Sequence, residues 1–263
     1  MDHAPLAAST FCFLFGFAYT MFALGTKRYQ PSRWNFAAIV LGFVFQTLWL
    51  FQRGHAIGRC PLTNLFEVFV FLSWSMVLLY LLVGTAYRLS LLGAFTSPLV
   101  FVFQTFALIA PIDTPQLAAA RLVPDPWLEL HAAISVIAYG AFALAGVAGV
   151  MYLVQERQLK THHLRTLFFH LPPIADLSVV LNRLLVTGFM LLTAGLLAGF
   201  AVRADWLKVT WGVGVWAIYG FIIQAEKLRR ISPRRVALLA VIAFSLTLST
   251  LWGLNFISHP AHS

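Results

Sequence analysis

Two histidines stand where they could hold the iron of a flat, metal-bearing ring. His131 ends the stretch Trp127-Leu128-Glu129-Leu130-His131, and about twenty apolar residues follow, so its imidazole sits at the lip of a membrane helix. His259 lies just beyond the last apolar segment. Imidazole is one of the commonest protein ligands for haem, and two lips on the same side of a bilayer would supply both axial ligands of its iron. Whether they share a side depends on how the chain crosses the membrane.

The composition fixes the class of protein. Of 263 residues, 60% are hydrophobic and only 10% charged, with a mean hydropathy of +0.83. That excludes a soluble domain and implies an all-α polytopic membrane protein. At about twenty residues per span, the sequence predicts helices at 5–25, 34–51, 65–83, 91–110, 128–154, 184–202, 207–225 and 236–256, making one transmembrane domain over residues 1–263. Pro98 falls inside the fourth, and residues 203–205 leave only a tight turn before the seventh. The first span has no positive stretch before it and Lys27-Arg28 after it, which predicts a retained anchor and not a cleaved signal.

Across eight spans, 13 of the 18 basic residues fall on one side, at 27–33, 88, 157–183 and 227–235, and Arg53, Arg59, Arg121, Arg203 and Lys208 on the other. The positive-inside rule then predicts both termini outside the cell's inner (plasma) membrane, with His131 and His259 on the outer side. Anionic lipid headgroups at the basic loops account for the net charge of +9 without any nucleic-acid partner.

The remaining chemistry-bearing residues are read more plainly. Cys12 and Cys60 form no C-x-x-C and no C-x-x-C-H, so the chain is neither a thioredoxin-like reductant nor itself a c-type cytochrome. The longest polar connection, residues 155–183, reads as a cytoplasmic cuff. Asp176 there caps a short helix leading into the sixth span, and His162, His163 and His170 are solvated bystanders with no ligand set. Asn64 and Glu67 fit a capping box at the third helix, with Arg59, or the neighbour of a propionate-bearing ligand, as the alternative partner for Glu67. Glu226 is expected to pair with Arg229 or Arg230. Asp125-Pro126 marks the start of the fifth helix, whose face His131, Ser135, Ala138, Tyr139 and Phe142 is mixed polar and aromatic. Ala145 and Gly149 read as close packing. Trp206, Trp211 and Trp216 fit either an interfacial belt or an aromatic platform for a porphyrin.

Residues 58–74 (GRCPLTNLFEVFVFLSW), 127–142 (WLELHAAISVIAYGAF), 152–160 (YLVQERQLK), Leu171-Pro172-Pro173, 188–199 (GFMLLTAGLLAG) and Gly253-Leu254-Asn255 resemble, in that order, the CcsA/HemX-type cytochrome c assembly proteins. The resemblance implies outer histidines, His131 and His259, that ligate haem. The chain departs from the full synthases in two places. Only residues 200–210 separate Gly199 from Trp211, where those proteins carry W-G-x-x-W-x-W-D-P, and Gln224 stands where a helix histidine is expected. Both departures resemble the shorter HemX-like or YpjD-like branch.

The expected function is haem handling at the outer face during c-type cytochrome biogenesis. His131 and His259 would be the metal ligands, Trp206 and Trp211 would contact the ring, and an apocytochrome c and an assembly protein would be partners. This is ligation and not turnover, so no catalytic residue is expected on the chain, which would at most be a component of a synthase. The alternatives are a HemX-like regulator of tetrapyrrole biosynthesis and a b-type cytochrome subunit.

Overall fold

The computed structural model describes residues 3–25, 33–86, 90–109, 125–161, 173–201 and 206–258. Eight helices account for nearly all of them, and no strand occurs among the described residues. They are α1 (Ala4–Gly25), α2 (Arg33–Ile57), α3 (Leu65–Ala86), α4 (Ser90–Ile109), α5 (Pro126–Thr161), α6 (Ile174–Ala201), α7 (Trp206–Lys227) and α8 (Pro233–Ser258). Ala4–Phe22, Trp34–Ile57, Leu65–Val83, Pro126–Thr161 and Ile174–Ala201 are long and apolar enough to cross a membrane. The chain is thus an all-helical, polytopic membrane protein. Pro98 does not end α4: the neighbouring hydroxyls of Thr96 and Ser97 donate back to Leu92 O and Gly93 O at 2.7 and 2.8 Å, holding the turn together.

One expectation is corrected. Residues 155–161 and 174–183, at the two ends of the expected polar connection, belong to the long helices themselves and not to a separate short helix. α5 runs through Gln155 to Thr161, and Ile174–Ala201 is one uninterrupted helix with Asp176 in its first turn. At 1.5 Å per residue, the 36 residues of α5 are about 54 Å long, well beyond the roughly 30 Å hydrocarbon core. Its last two turns therefore stand clear of the apolar layer, where Glu156 can pair with Lys160 at 2.7 Å and with Arg234 of α8 at 3.3 Å.

α5 is the central post. Residues 140–149 (GAFALAGVAG) are buried all round, because small residues let neighbours approach on every side. Gly140 faces Ser75 of α3, Gly146 faces Phe244 of α8, and Gly149 lies where a Cβ would be 2.8 Å from Ala237 O of α8. The most extensive pairing is α5 with α6. Phe142 lies over Gly188, Ser135 over Gly195 and His131 over Gly199: α5 steps back seven residues and then four while α6 advances by the same. That constant antiparallel register brings the start of α5 to the end of α6. Phe142 also stacks on Tyr219 of α7, ring centroids 3.6 Å apart and 3° from parallel.

Candidate functional site

The site is assembled at the end of the bundle where α5 begins. Asp125 caps α5 as its sequence suggests, its Oδ1 accepting the N–H groups of Trp127 and Leu128 at 3.0 and 3.4 Å, with Pro126 in the first turn. This cap fixes the phase of the first turns, so that His131 points toward α6. Its Nδ1 lies 2.6 Å from the carbonyl oxygen of Gly195. A carbonyl can only accept, so Nδ1 carries the hydrogen and the lone pair is left on Nε2. Nε2 makes no hydrogen bond among the described residues. A Cβ on Gly199 would lie 2.6 Å from Cε1 and 2.8 Å from Nδ1, so the ring occupies the space that this glycine leaves open. A histidine oriented by a carbonyl on one ring nitrogen, with the other nitrogen uncommitted, is the usual preparation for a metal ligand.

A second cluster ties the same end together. Glu67 is 0% exposed, and its Oε1 pairs with Arg53 Nε of α2 at 2.6 Å. Its Oε2 accepts the N–H and the hydroxyl of Thr63 at 2.7 and 2.6 Å, while its own N–H donates to Asn64 Oδ1 at 2.8 Å. The capping box is therefore present with its return bond moved one residue, to Thr63. The guanidinium that meets Glu67 Oε1 is that of Arg53, from the last turns of α2. Glu129, one half-turn before His131, accepts the N–H of Cys60 at 3.0 Å and so clips the 58–64 loop to α5. Burial, then the charges of Glu129 and Glu67, push the Cys60 thiol up to about 11, which keeps it protonated and unreactive.

The other expected residues fall as follows. His259 lies outside the described residues, as do His162, His163 and His170. Trp206 opens α7 and is 76% exposed, and Trp211 is 44% exposed. No hydrogen bond or ring contact joins either to His131 among the described residues. Trp216, by contrast, is committed to α6: its Nε1 donates to Thr193 at 2.9 Å and its ring stacks on Phe189. Gln224 is exposed. No ion pair joins Glu226 to Arg229 or Arg230 among the described residues, which corrects that expectation. Arg229 is instead turned into the helix cap, donating its N–H to Glu226 O. No three His, Cys, Asp or Glu side chains converge as a metal centre among the described residues. Sequence reading missed Arg53, Gly195 and Gly199, and the glycine spacing of α6 was the one signal that pointed to a close neighbour there.

Residues 62–262 match the family described as cytochrome C assembly protein. Among similar curated proteins, the cytochrome c biogenesis protein CcsA of Guillardia theta is 28% identical over 255 residues, covering 86% of this chain and 82% of that one. Its namesake in Prochlorococcus marinus (strain MIT 9303) is 26% identical over 292 residues, covering 95% and 91%. The one in Chlamydomonas reinhardtii is 28% identical over 234 residues, covering 82% of this chain and 64% of the relative. The match spans both the His131 lip and the glycines beneath it, and the chain belongs to the cytochrome c assembly protein family.

Proposed function

We propose that this protein takes part in c-type cytochrome biogenesis by holding haem at the outer face of the cell's plasma membrane, with His131 and His259 as axial ligands. The observation that carries the proposal is the 2.6 Å contact from His131 Nδ1 to Gly195 O, which reserves Nε2 for a metal. Haem here is cargo: its iron accepts the imidazoles while its vinyl groups remain open to the cysteine thiols of an apocytochrome. Trp206 and Trp211 start the helix that follows the Gly199 end of α6, and their exposed rings suit the apolar face of a porphyrin.

The register of α8 supports the pairing of the two histidines. α8 runs antiparallel to α5, with Phe244 at Gly146 and Ala237 at Gly149. Counting equal steps along both helices to the level of His131 ends between residues 255 and 259 of α8, and the described helix reaches Ser258, next to His259. The basic residues at the opposite end support an outward-facing site.

The visible spectrum of the purified protein, oxidised and reduced, tests this. Sharp bis-histidine bands that His131→Ala weakens are expected. A blank spectrum after haem reconstitution overturns it.

A further inference from the structure

The turn between α7 and α8 carries five cations in nine residues, Lys227, Arg229, Arg230, Arg234 and Arg235, at the end of the bundle away from His131. All five are exposed. Only Arg234 has an ion-pair partner among the described residues, sharing Glu156 with Lys160, and Glu226 is partly buried. The turn also holds a strained backbone. Arg229 N–H donates to Glu226 O at 2.8 Å and Arg230 N–H to Ala225 O at 2.9 Å, the bonding of a helix cap whose left-handed position normally takes glycine. Here that position is Arg229, with φ of 50°. A guanidinium kept where glycine would be favoured points to a use for its charge.

Between the same two helices lies an entirely apolar groove of about 440 Å³, with Ile222 and Ala243 as its floor and Ile218, Phe221, Ile242 and Leu246 exposed along its lips. Measured at 1.5 Å per residue from Pro233, it runs from about 9 Å at Leu239 to about 20 Å at Leu246. That is the depth range of an acyl chain whose headgroup lies at the turn, since one leaflet of the hydrocarbon core is about 15 Å thick.

We propose that the α7–α8 hairpin is a binding site for one anionic glycerophospholipid, its phosphate held by Arg229, Arg230 and Arg235 and one acyl chain laid in the groove. Charge complementarity selects the headgroup, and an apolar groove between the same two helices, opening about 9 Å from the turn, selects a lipid over a free anion. The site stands independently of the haem reading.

Native mass spectrometry of the full chain in detergent tests it, with dioleoyl phosphatidylglycerol against dioleoyl phosphatidylcholine as probes. The wild type should retain the phosphatidylglycerol preferentially. Changing Arg229, Arg230 and Arg235 together to Gln should lower its affinity by on the order of a hundredfold, roughly fivefold for each cation lost. Ala217→Trp, which fills the groove and leaves the charges, should also release it. Arg229→Gly guards against misfolding of the triple variant, because it relieves the backbone: it should be at least as stable as the wild type and still bind roughly fivefold more weakly. Equal retention of both lipids, or an Arg variant that binds as before, overturns the proposal. So does displacement by inorganic phosphate together with indifference to Ala217→Trp, which would mark a free-anion site.

Discussion

His131 and Gly195 are 64 residues apart in the chain, yet the imidazole Nδ1 and the glycine carbonyl oxygen are only 2.6 Å apart. The contact exists because Gly199, one turn further along α6, has no side chain to fill the space of the ring. The first prediction follows. In Gly199→Ala the new Cβ must displace the imidazole, at a cost of about 1–3 kcal/mol. Haem retention, read from the visible spectrum, should fall toward that of His131→Ala. Unchanged spectra in Gly199→Ala would show that the ring is not used where it is seated.

Arg53 and Glu67 form a buried pair at 2.6 Å, and Glu67 also closes the cap of α3. Glu67→Ala removes the carboxylate that pairs with Arg53 and opens the cap, and breaking a buried pair costs up to roughly 3–5 kcal/mol. Arg53→Ala should be comparably destabilising, and the double variant should be milder than the two losses added together. Thermal denaturation of the detergent-solubilised protein measures all three.

Cys60 should resist alkylation. With its thiol pushed from 9.0 to about 11, the thiolate population at pH 8 falls roughly a hundredfold. Glu129→Gln removes one of the two carboxylate charges while leaving an oxygen to accept the Cys60 N–H, so the iodoacetamide rate should rise. A wild-type rate equal to that of an unstructured thiol would contradict the clasped loop.

If His131 and His259 ligate one iron, either change to Ala should weaken haem retention, and the double change should add little, since residues serving one metal act as a unit. Additive losses, measured by haem titration of the two single variants and the double, would assign the histidines to separate sites.

The excess of basic residues at one end predicts that residues 162–172 face the cytoplasm and that a reporter fused after Ser263 reports from the outside. Cytoplasmic activity of the C-terminal fusion would remove His131 from the outer face. Replacing His162, His163 and His170 by Ala should leave haem content intact.

Hydropathy is a local property, and it was enough to mark all eight of the described helices. Asp125-Pro126 was likewise readable, because a cap is made by residues next to one another. The length of α6 was not: its first ten residues, 174–183, with Asp176, Ser178, Asn182 and Arg183 among them, look like connection until packing on α5 carries them into one helix. Nor could spacing name Arg53 as a partner of Glu67, since the two lie 14 residues apart on different helices and only the packing of α2 on α3 brings the guanidinium to the carboxylate. The partner of His131 was the least readable of all. It is a backbone carbonyl, which every residue possesses, selected by the fit of His131, Ser135 and Phe142 against Gly199, Gly195 and Gly188. Sequence set which residues could serve, and the register of two antiparallel helices decided which ones meet.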